Sequence, residues 1–389
     1  MGRKLLLWGW IIGALLLLLY SFTQIDLSLT FSQISIWQVF QKQFQYIGYF
    51  NRPLSTVFYI FLIVISSSLY VLTLREVIKN KLNRKTVWTI IFAVAAILFF
   101  SYNAFSYDFF NYMFDARVVT HYHLNPYLYK ALDFPGDPML SFMRSTHRVY
   151  PYGPSWLLFT VPLSFIGVKL FILTFYLFKL LVVASTVLAA FMIEKIARIL
   201  KLKNPLFPVV FFALNPLVLF EAFVSGHNDM VMVSLVLVSF YLLFKQKYVG
   251  SILFLLLSIG VKFATIIFIP LYLLIIFKKS SNTFIVNSLA FLAAVGVVIT
   301  SLASGQNKNP EFQPWYLLLF LPFVSLLESK KIILFVTVFI TIASLLSYFP
   351  FIADGHWPKN IVELKNIILL VSALSGVVVY SLSKKLSDV

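Results

Sequence analysis

The chain has 389 residues, 60% of them hydrophobic, 12% charged, with a net charge of +17 and no cysteine. That is about half the charged fraction of an average soluble domain, and the missing cysteines exclude disulfides and thiolate metal sites. Apolar runs recur along the whole sequence, many approaching the roughly 20 residues that span a bilayer, so the composition implies a polytopic, all-α membrane protein rather than a soluble enzyme or a nucleic-acid binder.

The positive charge is not spread as a nucleic-acid footprint would be. It falls in short clusters between apolar runs: Arg3-Lys4, Arg75 to Lys85, Lys195 to Lys203, Lys245 and Lys247, Lys278-Lys279, Lys330-Lys331 and Lys384-Lys385. That is the signature of cytoplasmic loops. In chain order, MGRKLLLWGW begins like a signal peptide, but no small-residue cleavage site follows, which predicts a retained signal anchor. Leu5–Phe22 then runs outward, 23–53 is an outer loop, and Leu54–Leu74 returns, so that 5–74 is an N-terminal helical hairpin. Val87–Phe105 goes out as the third helix, and 106–154 is a long outer loop.

Ser155–Gly167 is too short to cross at 1.5 Å per residue, so it reads as a re-entrant or interfacial segment. Lys169–Ile193 runs inward, followed by Leu206–Val224 out, Met230–Phe244 in, Tyr248–Val261 out and Phe263–Phe277 in. Phe284–Ala303, Trp315–Leu327, Ile332–Phe349 and Leu364–Leu382 complete about twelve spans. Both termini then lie in the cytoplasm, and every Lys/Arg pair named above falls inside.

This threading gathers the polar chemistry on the non-cytoplasmic face. SYDFFNYMFDAR (106–117) carries Asp108 and Asp115, seven residues apart and so on one face of a helix, with Arg117 beyond. A carboxylate at a partly desolvated boundary gains basicity; an interfacial helix with solvated acids and belt tyrosines would show the same spacing. Arg144, His147 and Arg148 could hold a lipid phosphate or merely attract anionic head groups. His121, His123 and His147 lack a fixed partner geometry for zinc, so the sequence does not point to a divalent metal.

The SGHND stretch (225–229) sets His227, Asn228 and Asp229 against an apolar run, with Glu221 just before it. Asn228 or Asp229 can cap the following helix. Capping does not account for His227 or Glu221, and an ionisable group within a span is a functional candidate. Lys262 interrupts two apolar segments; it is either a snorkelling lysine or part of the same site. Tyr152 in YPYGP and Trp315-Tyr316 in QPWY are ordinary boundary features taken singly.

Taken together, SYDFFNYMFDAR…NPY (106–127), YPYGPSWLLF (150–159), NPLVLFEAFVSGHNDMVM (215–232) and QPWYLLLFLP (313–322), with GVKFATIIFIPLYL (260–273) as a looser fifth, resemble the GT-C superfamily of integral-membrane glycosyltransferases. The likeness is nearest to the polyprenol-phosphate-mannose-dependent mannosyltransferases of bacterial envelopes. It implies one transmembrane glycosyltransferase domain over 1–389, with 106–154 as the catalytic loop. It further implies an inverting transfer of a sugar, mannose by the likeness, from a polyprenyl-phosphate donor to a glycan or glycolipid acceptor on the outer face, without a cofactor.

Asp108 matches the aspartate that serves as general base in that family. Asp115, Arg117, Arg144, His147, Arg148, Tyr152, His227, Asn228, Asp229, Lys262, Trp315 and Tyr316 are then the expected substrate-binding residues. The hairpin 5–74 ahead of the aspartate loop departs from the commoner arrangement. The competing readings are a transporter or flippase of polyprenyl-linked glycans, and a glycan polymerase or ligase. A transporter should show charges at the bilayer midplane and two similar halves; Lys179 is the one obvious charge deep in a span, and no halves are visible.

Overall fold

The computed structural model describes residues 2–387 except 279, 305–310 and 329; the Lys279 half of one basic pair and Asp388 therefore lie outside the described residues. Among those described, the regular secondary structure is helical throughout. The N-terminal hairpin pairs α1 (Arg3–Phe22) with α3 (Arg52–Ile78). Between them runs α2 (Ser35–Gln45), a short helix turned inside out. Its Gln41 and Gln45 are buried and donate to the Leu29, Ile25 and Asp26 carbonyls, while Ile36, Val39 and Phe40 are exposed. The amides thus complete the hydrogen bonding of an irregular loop, and the apolar face is left exposed.

α4 (Arg84–Phe99) packs on α1 and leads into the 106–154 segment. This segment is not an open loop: it begins with α5 (Asp108–Thr120), continues through short turns of 3₁₀ helix, and ends at α6 (Pro154–Ile166). α7 (Phe171–Ile199) is the longest helix. α6 is 13 residues long, matching the short segment expected there.

The stretch expected as a single span, 206–224, is broken. α8 (Leu206–Ala213) and a wide helical turn over Val218–Val224 meet at 69°. Pro216 cannot donate a backbone bond, and the Asn215 side chain takes over. Its Oδ1 accepts from Leu217 N–H at 2.9 Å, and its Nδ2 donates to Tyr70 and Thr341 at 3.3 and 3.1 Å. Residues 208–224 are buried without exception, the condition on which irregular backbone is tolerated at membrane depth.

α9 (Asp229–Phe244) and α10 (Tyr248–Val261) form a tight antiparallel pair tied by the Ser239–Ser251 hydroxyl exchange. Beyond Lys262 come a 3₁₀ stretch and α11 (Ile269–Phe277), then α12 (Asn282–Ser304), α13 (Leu317–Val324), α14 (Lys331–Leu345), α15 (Phe349–Asp354) and α16 (Ile361–Ser387). By length and composition six helices can cross a membrane among the described residues, or seven if the bent pair counts as one. The fold is therefore a multi-pass membrane bundle.

One close approach fixes the site-bearing end. The start of α6 lies against the end of α10: a Cβ on Gly153 would stand 2.3 Å from the Gly260 carbonyl oxygen. Gly153→Ala should therefore lower the unfolding free energy by about 1–3 kcal/mol through overpacking, measured by thermal unfolding of the purified protein. Gly136→Ala, where a Cβ meets nothing within 4 Å, should leave the midpoint unchanged.

Candidate active site

Three chain breaks converge at one end of the bundle: the N-terminus of α5, the 225–229 turn before α9, and Lys262 after α10. The turn depends on Gly226, at φ +75° with its Cα against the Phe109 ring, 2.7 Å from where a Cβ would sit. Neither Asn228 nor Asp229 caps α9, as the sequence had suggested they might. Tight local bonds instead satisfy the first N–H groups: Met230 donates to His227 and Val231 to Asn228. That leaves both side chains for other partners. Asn228 Oδ1 accepts from the Tyr112 hydroxyl at 3.3 Å, and the Asp229 carboxylate takes the Lys262 ammonium on both oxygens at 3.0 and 2.9 Å.

Lys262 sits in extended backbone where α10 ends, so its side chain reaches back to the start of the antiparallel partner rather than out to solvent. Its ammonium also lies 5.8 Å from the centre of the Tyr316 ring.

On α5, the spacing of seven does place Asp108 and Asp115 on one face, with Tyr112 between them. Arg148 approaches Asp108 at 3.4 Å. The Tyr112 ring packs edge-on against Tyr152 and Trp156, with centroids 5.4 and 5.2 Å apart. The field of Asp108 reaches Asp115, Tyr112 and Tyr152. Behind the 225–229 turn, His227 stacks on Trp315 at 4.4 Å, and its Nε2 lies 3.2 Å from the Glu221 carboxylate, whose other oxygen accepts from Tyr348 at 2.9 Å.

Of the residues singled out from sequence, the structure thus draws together Asp108, Asp115, Arg148, Tyr152, His227, Asn228, Asp229, Lys262, Trp315 and Tyr316. Three others are engaged elsewhere or exposed. Arg117 lies on the opposite face of α5, paired with Asp137 at 2.7 Å. Arg144 meets Asp26 of the N-terminal hairpin at 3.4 Å and lies over the Tyr107 ring; it docks the hairpin onto the loop. His147 is exposed.

Sequence reasoning passed over Tyr112, Trp156 and Tyr348. The first could have been found from its place between the two aspartates; Tyr348, more than a hundred residues from Glu221, carries no local signal.

Several buried polar atoms here make no hydrogen bond within the protein: both amide atoms of Asn111, Asn228 Nδ2, His227 Nδ1 and Trp156 Nε1. Such atoms are rare in folded interiors, and their clustering beside two carboxylate–cation pairs gives the site a supply of donors and acceptors for a hydroxyl-rich ligand.

Residues 8–278 match the family model described as alpha-(1->6)-mannopyranosyltransferase, N-terminal domain, of the MptA_B family. The match covers both aspartates of α5, Arg148, the 225–229 turn and Lys262, and stops short of Trp315, Tyr316 and Tyr348. No curated protein and no solved structure matches the chain.

Burial, reinforced by the neighbouring Asp108 charge and opposed by Arg148, pushes the Asp115 carboxyl from its ordinary 3.8 up to about 7. A carboxyl raised on folding holds its proton in the native state where the unfolded chain has released it, so stability is lost as pH rises from about 4 to about 7. Asp115→Asn should remove that slope. Thermal midpoints measured from pH 4 to 8 are expected to show the variant gaining on the native protein as pH rises, with the gap constant above about pH 8.

Proposed function

The chain belongs to this mannosyltransferase family, and from that premise we propose that it moves mannose from a polyprenyl-phosphate donor to a glycan or lipid-linked glycan acceptor on the non-cytoplasmic face, with inversion at the sugar carbon. The observation that carries this reading is that two carboxylate–cation pairs, Asp108–Arg148 and Asp229–Lys262, both lie within the electrostatic reach of Tyr112, beside unpartnered polar groups.

The chemistry needs few parts. Asp108, partly exposed and beside a guanidinium, takes the proton of the acceptor hydroxyl. The acceptor oxygen bonds to the sugar's C1 as the bond from C1 to the phosphate oxygen breaks, and the electron pair leaves with the phosphate. Arg148 and Lys262 face the charge that develops on that oxygen. A single displacement inverts C1, so an α-(1→6) product, the linkage in the family's description, calls for a β-linked donor and a primary hydroxyl on the acceptor. Asn111, Asn228 and His227 supply hydrogen bonds to sugar hydroxyls, and Trp315, Tyr152 and Trp156 supply ring faces and edges.

Because the donor's phosphate is its own leaving group, no nucleotide-binding domain is required, and a donor anchored in the bilayer suits a site at the end of a membrane bundle. In the same proposal the bundle makes about twelve crossings with both termini cytoplasmic. Of the five apolar helices of 10–17 residues, α6 would be the re-entrant or interfacial segment and the other four short crossings, with α4 as a further crossing.

The direct test is release of polyprenyl phosphate from polyprenyl-phosphate mannose by the purified protein. Asp108→Asn keeps the shape and removes the base, so transfer should fall by about 10²–10⁴-fold while donor binding survives. Asp229→Asn should cost less. Full activity in Asp108→Asn with loss in Asp115→Asn would move the base two helical turns along α5. For orientation, a cysteine at Ser145 should react with an impermeant thiol reagent in intact cells, and one at Lys79 only after permeabilisation; the reverse would put the site on the cytoplasmic side.

A further inference from the structure

The back of α5 faces a cavity. Met113, Arg117 and Thr120 project away from the Asp108–Tyr112–Asp115 face and line a cavity of about 1110 Å³, somewhat above the usual range for small-ligand sites. Its other walls are the 28–33 segment ahead of α2, the 138–142 turn, and the junction between α6 and α7.

Charge in this lining is of one sign. Arg117, His121, His123 and Lys169 contribute to it, and no Asp or Glu does. Arg117 is offset by Asp137 from behind, which leaves Lys169 and the two imidazoles at the cavity. His121 Nδ1 is buried and has no hydrogen-bond partner. Burial and the charges of Arg117 and Lys169 depress its protonation, so near neutral pH it is a neutral donor or acceptor in a positive field.

The rest of the lining is apolar. Phe142 and Phe171 are the floor, and Phe165, Val168 and Leu170 are exposed at the rim. That rim is the end of α6 and the short link into α7, a helix long and apolar enough to span a membrane, which sets the cavity mouth at the end of a span. Backbone strain is concentrated at the same place. Val168 and Lys169 have φ of 49° and 64°, and His123 has 57°. A β-branched residue in the left-handed region is an outlier that persists only where its surroundings hold it.

We propose that this cavity binds an anionic membrane lipid, its phosphate head at Lys169, His121 and His123 and its chains over Phe165, Val168 and Leu170. The site is separate from the one that carries Asp108, with α5 as the wall between them, and does not depend on the reaction assigned there. Charge complementarity selects the phosphate, and the apolar rim at the membrane boundary selects a lipid over a free anion.

The test is thermal unfolding of the full chain in detergent with dioleoyl-phosphatidylglycerol, dioleoyl-phosphatidylcholine or inorganic phosphate. The expectation is a rise of several degrees with phosphatidylglycerol and little with the other two. Lys169→Asn is the decisive variant. Asparagine tolerates positive φ better than lysine, so the protein should fold at least as well while losing most of the lipid-dependent rise. Lys169→Arg should keep it, and Lys130→Glu, a basic residue outside the lining, should leave it intact. An undiminished rise in Lys169→Asn, an equal rise with phosphatidylcholine, or an equal rise with inorganic phosphate would each overturn the proposal.

Discussion

Wherever a membrane-embedded chain leaves the helix, the backbone groups it frees must be bonded by protein, and the segment from 206 to 229 is organised by that requirement. Asn215 covers the break at Pro216. At the other end Lys179, fully buried in α7, donates to the Val224 carbonyl at 2.5 Å, and Ser225 bonds back to Phe220. An unpaired lysine inside a bundle is costly. Here its ammonium serves a carbonyl that no helical N–H can reach, one residue before the turn that presents His227, Asn228 and Asp229. The position of the site thus follows from how a broken helix is repaired.

The same logic gives α5 its character. It is neither a span nor a free interfacial helix, because all its faces are used. Asp108, Tyr112 and Asp115 meet Arg148, Tyr152 and Asn228; Phe109 and Phe110 are buried among Phe175, Phe142 and Phe171; Arg117 turns to Asp137 and the cavity behind. Burial raises the Asp137 carboxyl, but the Met139 N–H, the Tyr122 hydroxyl and Arg117 outweigh it and hold the group below its ordinary value. Arg117 is thereby fixed as a structural cation rather than one free to meet a donor in the Asp108 site.

Much of this was legible in the sequence, because the signals were local. Long apolar runs announced the membrane bundle, and a spacing of seven announced the shared face of Asp108 and Asp115. What stayed hidden depends on contacts between distant segments. Arg144 and Arg117 looked like free loop cations, and only their pairing with Asp26 and Asp137 shows otherwise. The capping expected of Asn228 and Asp229 was reasonable from residue type, but Tyr112 and Lys262 compete for the same oxygens. The bend at 214–217 was foreshadowed by an Asn-Pro pair within an apolar run that hydropathy alone reads as continuous.

The arrangement of charge also constrains how the proposed reaction proceeds. Asp108 and Asp229 each have a cation at hand, Arg148 and Lys262, so the two pairs are close to neutral. Asp115 is a third carboxyl, and its nearest cation is the Arg148 that Asp108 already engages. Two carboxylates sharing one cation cannot both ionise cheaply, which is why burial and Asp108 together keep Asp115 protonated up to about pH 7. A phosphate brought to Arg148 and Lys262 adds negative charge to the same neighbourhood, which raises the proton affinity of Asp115 further. Asp115 would then be neutral while the donor is bound and would serve as a hydrogen-bond donor to a sugar hydroxyl. In the proposed reaction the acceptor's proton goes to Asp108, which is partly exposed and paired with Arg148. In this way one helical face can divide two aspartates, two turns apart, between a base and a donor.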